Sequence, residues 1–323
     1  MLLRVRERAK KNRVLTPGTF GCLQGAYTIN VTQGCGLCCT YCYARGYSNA
    51  PPKGDVHLFV NLPGLLRKEL DSKKRRWLPC TVIFNTASDC FQPHLDILEV
   101  TFQTMALLLE RGIDISFLTN GSIPRRFIDL FKAYRGHVQA QIGLVSVSET
   151  YWRSYEPGAA SPREKLGNIE RLLAAGIETQ VRVDPVIPFV TDTPREVESL
   201  FRALGRRGVR RVSLSYLHLR PAIQRQIRAE LPPLHRKLLE SCYRNQDWLE
   251  VGLSGKTKLL PRRLREAGYM RMKEFARSHG ISAVICSCKN PDLQGETCLP
   301  PRARRAIPNL THRRRQLLLF PCW

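Results

Sequence analysis

The sequence predicts an α/β fold: a partial (β/α)6 barrel of the TIM-like kind, followed by a C-terminal α-rich extension that contains cysteines. Two observations carry this. From residue 27 onward, short apolar runs alternate with stretches whose apolar residues recur at helical spacing, the pattern of parallel βα units. The alternation gives six units before it stops near residue 220, and a closed barrel of eight would need more chain. The chain therefore divides into a basic N-terminal arm (1–26), a barrel (27–220) and an extension (221–323) with a candidate second metal site and a basic tail.

The arm ends in Pro17, Gly18 and Gly21, which form loops, and is expected to lie across the barrel mouth or to stay mobile. The first strand is read over 27–32 and runs into a turn with four cysteines, which Pro51, Pro52 and Gly54 close. Leu62, Leu65, Leu66 and Leu70 share one face of a helix over 62–73, and 80–84 is a short apolar strand. The alternation then repeats: helix 95–111 and strand 113–118, helix 124–134 and strand 138–147, helix 162–175 and strand 177–183, helix 194–207 and strand 211–216. Beyond residue 221, helices over 233–245 and 261–279 precede a strand over 281–285. No low-complexity linker sets the extension apart, so it is expected to pack on the barrel.

An apolar fraction of 43% supports a proper core, and no run of eighteen apolar residues predicts a membrane span. The first residues are too charged for the apolar centre of a signal peptide. Twelve cysteines without such a signal read as metal ligands and free thiols of a reducing cytoplasm, not as a disulfide frame. The formal charge is +24, from 51 basic and 27 acidic residues, and it is unevenly placed. The first thirteen residues carry six basic side chains and one acid, 202–228 carries eight arginines and no acid, and 299–323 carries six arginines and no acid. Such a field attracts polyanions, most simply the phosphates of a nucleic acid; arginine-rich codon usage would raise the charge without one.

The turn after the first strand holds the chemistry. Cys35, Cys39 and Cys42 are separated by three and then two residues, with Tyr41 before the last and Cys38 as a surplus thiol. Closely spaced thiolates bind zinc tetrahedrally or hold an iron–sulfur cluster, and three ligands leave one iron of a [4Fe-4S] cluster open. On this spacing and Tyr41 the sequence resembles the radical S-adenosylmethionine (radical SAM) superfamily. Val14-Leu15-Thr16-Pro17, Tyr27-Thr28-Ile29-Asn30 and Tyr41-Cys42-Tyr43-Ala44-Arg45 narrow it: they resemble the opening of the spore photoproduct lyase-like, or DNA repair photolyase-like, group.

The resemblance implies that Cys35, Cys39 and Cys42 hold a [4Fe-4S] cluster whose open iron binds S-adenosylmethionine, with Tyr41 beside the cofactor. It implies roles at the strand ends too. In Asn85-Thr86-Ala87-Ser88-Asp89-Cys90-Phe91-Gln92-Pro93, Ser88 and Asp89 are candidates for the methionine end of the cofactor. Asn120 stands where spore photoproduct lyases carry a lysine, Ser146 lies on a serine-bearing strand that precedes Glu156-Pro157-Gly158, and Arg182 lies on a strand expected to face the adenosine. Glu156 with Arg163 is an alternative, purely structural pair. Tyr43 matches a tyrosine that relays hydrogen atoms in that family. The family's hydrogen-donating cysteine falls on Thr86 here, and Cys90 is the candidate to act in its place.

Cys286, Cys288 and Cys298, with Cys322, have the density of a second metal site, for an auxiliary iron–sulfur cluster or a zinc ion; Cys22, Cys80 and Cys242 read as core or loop thiols. The expected function is reductive cleavage of S-adenosylmethionine to a 5'-deoxyadenosyl radical, with electrons from a partner such as flavodoxin or ferredoxin. The expected substrate is a nucleic acid, in a lyase, repair or modification reaction. The alternative is a peptide or small metabolite, with the second metal centre assisting.

Overall fold

The strand Val138–Gly143 is buried at every position, as a strand covered on both faces must be. It lies near the centre of the sheet in a computed structural model that describes residues 3–298 apart from 20, 73, 75–76 and 252–254, together with a strand at 307–308. In chain order the strands begin with β1 (Arg4–Arg8), β2 (Thr16–Pro17), β3 (Tyr27–Ile29), β4 (Thr32–Gln33), β5 (Asp55–Phe59), β6 (Trp77–Leu78) and β7 (Thr81–Phe84). They continue with β8 (Asp114–Thr119), β9 (Val138–Gly143), β10 (Glu178–Val186), β11 (Arg211–Tyr216), β12 (Leu249–Glu250), β13 (Lys256–Thr257), β14 (Ser282–Ile285) and β15 (Ile307–Pro308). The helices are α1 (Leu62–Leu70), α2 (Leu95–Glu110), α3 (Arg125–Ala133), α4 (Glu149–Tyr155), α5 (Pro162–Ala174), α6 (Pro194–Gly205), α7 (Pro221–Glu230), α8 (Pro233–Tyr243) and α9 (Arg262–Ser278).

The main sheet runs β14-β11-β10-β9-β8-β7-β3-β2. All its pairs are parallel except β2 with β3, so this is the α/β half-barrel that the alternation predicts. The six predicted strands form its body, and β14, from the extension, adds a seventh parallel strand beyond β11. Side-chain alternation explains the filling. Val138, Ala140, Ile142, Val181, Val183 and Val212 belong to the apolar core, while Gln139, Gln141, Gln180, Arg182 and Ser213 take the opposite face of the same strands. The barrel interior is therefore polar.

Local signals account for the clean elements. Ser161 and Glu164 form a reciprocal capping box ahead of α5, Thr193 caps α6, and each helix opens on a proline at its first position. Three readings shift. The strand read over 27–32 breaks at Asn30, whose side chain donates to Thr86 Oγ1 and accepts from Ala87 N, and β4 joins a second small sheet, β1-β5-β4. The strand read over 138–147 ends at Gly143, and Ser148 caps the unpredicted helix α4. The arm is tied down instead of loose: β1 pairs in parallel with β5, and Arg4 Nε donates to Asp55 Oδ1 at 2.5 Å. Among the described residues no helix is long and apolar enough to cross a membrane.

Candidate active site

Beyond β4 the chain turns at Gly34, at a φ of 88°. A β-carbon there would lie 2.5 Å from Pro51 Cγ and 2.7 Å from the Asp55 carbonyl oxygen, so only glycine fits. The loop that follows is held at successive positions by groups from the β7 end, from α4 and α7, and from its own Arg45. Gly36 N donates to Gln92 Oε1 at 2.6 Å, and Gln92 Nε2 donates to Thr32 Oγ1 and the Asp89 carbonyl oxygen. Thr40 N donates to the Tyr155 carbonyl oxygen, Arg45 to that of Cys39, and Gln226 to that of Cys42. Gly158 presses on the loop backbone so closely that a β-carbon would stand 2.7 Å from the Gly36 carbonyl oxygen, which explains the glycine after Glu156-Pro157.

Cys35, Cys39 and Cys42 lie within electrostatic reach of one another. They stand wider than a one-ion site: among the described residues, the group of cysteine, histidine or carboxylate side chains with all ligand atoms within 4.8 Å of one another lies elsewhere. A cluster that gives each thiolate a separate iron suits that wider spacing. Burial, then the Asp89 charge and Cys42, push the Cys35 thiol well up; burial, then Glu156 and the other two thiols, do the same for Cys39. Such thiols give up their protons when a cation takes their place, as a metal ligand does. A void of about 330 Å³, including open solvent, borders Cys35, Cys38 and Cys42 but not Cys39, so it is not the space the three share.

A buried ion pair braces this loop from below. Lys165 Nζ meets Glu156 Oε2, and both side chains are almost fully buried. Tyr41 Oη donates to Glu156 Oε1 at 2.5 Å and Tyr151 Oη to the same oxygen at 3.3 Å. The partner of Glu156 is thus Lys165 on the inner face of α5, whereas Arg163 is exposed.

The strand-end residues divide into occupied and open groups. Asp89 is spent on the fold: its carboxylate accepts from Thr119 Oγ1 at 2.8 and 2.9 Å, Asn120 N at 2.8 Å and Phe91 N at 2.8 Å. Asn120 takes a 3.4 Å contact from Lys165 Nζ on Oδ1. Ser146 Oγ donates to Glu196 Oε2 at 2.7 Å. Cys90 is fully buried in the main apolar core. Ser88 differs, for its Oγ is buried without a protein partner and so is left for a water or a ligand. Tyr43, 39% exposed, donates from Oη to the Thr86 carbonyl oxygen at 2.5 Å, with Arg220 5.1 Å over its ring. The two positions that the resemblance linked to hydrogen transfer, Tyr43 and Thr86, are therefore in contact.

Arg182 turns elsewhere. Its Nη2 donates to Asp184 Oδ2 at 2.7 Å and its Nη1 faces Cys298 Sγ at 3.8 Å, while Lys289 Nζ lies 2.5 Å from the same Asp184 oxygen. Burial opposes the charge, but Lys289 and Arg182 hold the Asp184 carboxyl down to about 2. Beside them Cys286, Cys288 and Cys298 converge, as their density suggested, and the fourth member is Cys22. Cys322 lies outside the described residues. Cys22 was readable only as a loop thiol, because nothing local links it to a segment 264 residues away.

Comparison with known proteins places this geometry. The Radical SAM superfamily profile matches residues 29–204. An uncharacterized protein of Mycobacterium tuberculosis is 29% identical over 222 residues, covering 66% of this chain and 65% of that protein. The Radical SAM Nalpha-GlyT isomerase of Pseudomonas phage M6 is 25% identical over 257 residues, covering 78% of this chain and 51% of the phage protein. The chain thus spans a little under two thirds of the mycobacterial relative and about half of the phage one. In fold it resembles a mutant spore photoproduct lyase, with a TM-score of 0.66 at 18% identity over 86% of this chain and 81% of that one. A second mutant of that lyase, with bound AdoMet and dinucleoside spore photoproduct, gives 0.65 at 17% identity over the same shares. The matched segment begins inside β3 and encloses the three-cysteine loop and every strand-end residue described above, and the chain belongs to the radical SAM superfamily.

Proposed function

We propose that the chain is a radical SAM enzyme that acts on a nucleic acid, in a lyase, repair or modification reaction. The observation that carries the chemistry is the three-thiol loop, braced by Gln92 and Arg45 and splayed wider than a one-ion site. Cys35, Cys39 and Cys42 would hold a [4Fe-4S] cluster, and Ser88, with its orphaned hydroxyl, would meet the methionine end of S-adenosylmethionine. When bound and reduced by a small electron carrier such as flavodoxin or ferredoxin, the pair supplies a 5'-deoxyadenosyl radical that takes a hydrogen atom from substrate.

The remaining work falls to the chain's own groups. The Glu156–Lys165 pair fixes Tyr41 and, through it, the last turn of the cysteine loop. Asp89 fixes the backbone at Phe91 and Asn120, so that the strand ends around Ser88 keep their places. Tyr43 is the side chain best set to exchange hydrogen with substrate, being part-exposed with its hydroxyl held at Thr86 and its ring against Arg220 and Tyr47; Cys90, sealed in the core, is set for packing. A nucleic-acid substrate is supported by the +24 charge, and the fold relative with bound dinucleoside spore photoproduct agrees with it. A peptide or small-molecule substrate is the second reading, favoured by Thr86 where the spore photoproduct lyase resemblance expects a cysteine.

Anaerobically reconstituted protein with dithionite and S-adenosylmethionine should release 5'-deoxyadenosine, and Cys39→Ala should release none while keeping its circular dichroism. Cleavage that survives Cys39→Ala overturns the assignment. Binding to random duplex DNA should fall by roughly a thousandfold between about 50 and 200 mM salt if phosphates are the contact. Weak binding that salt does not change points to the second reading.

A further inference from the structure

Four thiols outside the radical SAM loop meet where the main sheet is open. Cys22 stands in the turn Gly21–Leu23 between β2 and β3, at one edge of the sheet; Cys286 directly follows β14, at the other edge. Cys288 lies two residues on, and Cys298 returns on a segment that pairs with Cys286 at Glu296. Among the described residues no ladder joins β14 to β2 or β3. We infer that these four thiolates hold a single tetrahedral zinc ion, which ties the basic arm to the last strand and closes through sulfur the side of the barrel that backbone hydrogen bonds leave open.

Spacing selects one ion over a cluster. Zinc–sulfur bonds of about 2.3 Å put the corners of a tetrahedron roughly 3.8 Å apart. Cys22 Sγ lies 3.6 Å from Cys286 Sγ and 3.7 Å from Cys288 Sγ, Cys286 Sγ and Cys288 Sγ stand closer than a tetrahedral edge at 2.8 Å and would open by about 1 Å around an ion, and all four sulfurs fall within 4.8 Å of one another. A cubane would give each sulfur its own iron and spread them. The backbone is cut for this approach on both sides. Gly21 sits at a φ of 43°, and a β-carbon on it would stand 2.6 Å from Cys288 Cβ. One on Gly295 would stand 2.7 Å from the Ile285 carbonyl oxygen, pushing off the segment that returns Cys298. That segment is pinned by Ser287 N to the Glu296 carbonyl oxygen at 3.0 Å and by Glu296 N to that of Ile285 at 2.8 Å. Arg182 faces Cys298 Sγ and supplies the positive charge that a doubly negative tetrathiolate centre needs in its outer shell.

The test separates this site from the radical SAM loop. In the Cys35→Ala/Cys39→Ala/Cys42→Ala variant, elemental analysis should find about one zinc per chain and no sulfide. X-ray absorption at the zinc edge should show about four sulfur neighbours near 2.3 Å. Adding Cys22→Ala and Cys286→Ala should remove the zinc. If that protein does not fold, the sulfur count in the triple variant decides alone. Stripping the zinc with a mercurial should speed amide exchange over 18–26. Iron with sulfide in the triple variant, an absence of metal there, or unchanged exchange after stripping each overturns the inference.

Discussion

The two thiol groups are built in opposite ways. Cys35, Cys39 and Cys42 come from eight consecutive residues yet stand apart, beside the carboxylates of Asp89 and Glu156. Cys22, Cys286, Cys288 and Cys298 come from both ends of the chain yet sit within 4.8 Å, with Arg182 against Cys298 and Asp184 pairing Arg182 with Lys289. A loop can splay near neighbours around a large group because its backbone runs around that group. Distant residues are brought together by topology, and tight convergence suits one small ion. The electrostatics differ in degree: burial with the Asp89 and Glu156 charges pushes Cys35 and Cys39 well up, so these two ionise against a strongly positive centre, while in the quartet Arg182 faces Cys298 Sγ directly.

The comparison breaks most easily at the brace under the loop. Lys165→Met leaves the Glu156 charge buried with only Tyr41 and Tyr151 to meet it. Losing one partner of a buried pair costs roughly 3–5 kcal/mol. We expect the urea midpoint to fall accordingly and iron incorporation in the loop to drop, with zinc content unchanged. Adding Glu156→Gln should recover much of the loss, since no bare charge remains. Zinc lost along with iron in Lys165→Met would show that the two sites are not independent.

Acid sharpens the contrast on the other side. His218 Nε2 lies 2.8 Å from the Lys289 carbonyl oxygen, and burial, then the Lys289 charge, push the ring down to about 4. The unfolded ring titrates near 6.5, so between those values the unfolded chain binds the proton and the folded one does not. Stability from this group is therefore whole above about pH 6.5 and is lost as pH falls toward 4, on the order of 3 kcal/mol. His218→Asn should flatten the stability profile in that window relative to wild type. Acid loss of thiolate-bound metal is common to both proteins and cancels in the difference. Parallel profiles would refute the assignment to His218.

What could be read from the sequence follows from the same contrast. The three-then-two spacing of the loop and the helical and strand periods are local, so the half-barrel and the radical SAM loop were legible. Three of the four edge thiols were visible from their density near residue 290, but Cys22 was not, because its partners are fixed by the order of strands in the sheet. Lys165 was missed for a related reason. Only the register of α5, set by the Ser161 cap, shows that Lys165 faces inward and Arg163 outward. The missed helix α7 opens on Pro221, a start signal that the charged residues behind it obscured. Asp89 was legible as important but not as structural; its four acceptor contacts appear only when β7 and β8 lie side by side.

The smallest effect tests the edge site with the least disturbance. Gly21→Ala places a methyl group in the left-handed region and against Cys288 Cβ, whereas Gly208, at a φ of 76°, has nothing within 4 Å of where a β-carbon would stand. Both substitutions carry the left-handed cost of about 1–2 kcal/mol, and only the first also disturbs a zinc ligand. We expect the two variants to lose similar stability when zinc has been stripped from both. With zinc present, Gly21→Ala should compete against a chelator less well than Gly208→Ala by the overpacking cost against Cys288 alone, about 1–3 kcal/mol or roughly 5–150-fold. Cleavage of S-adenosylmethionine should stay at the wild-type level in each. Equal zinc affinity in the two variants would mean that the Gly21 turn does not set the approach of Cys22 to Cys288, and the arm would then be placed by its strand pairing with β3 and β5 and its bonds to Asp55, Asn61 and Glu69.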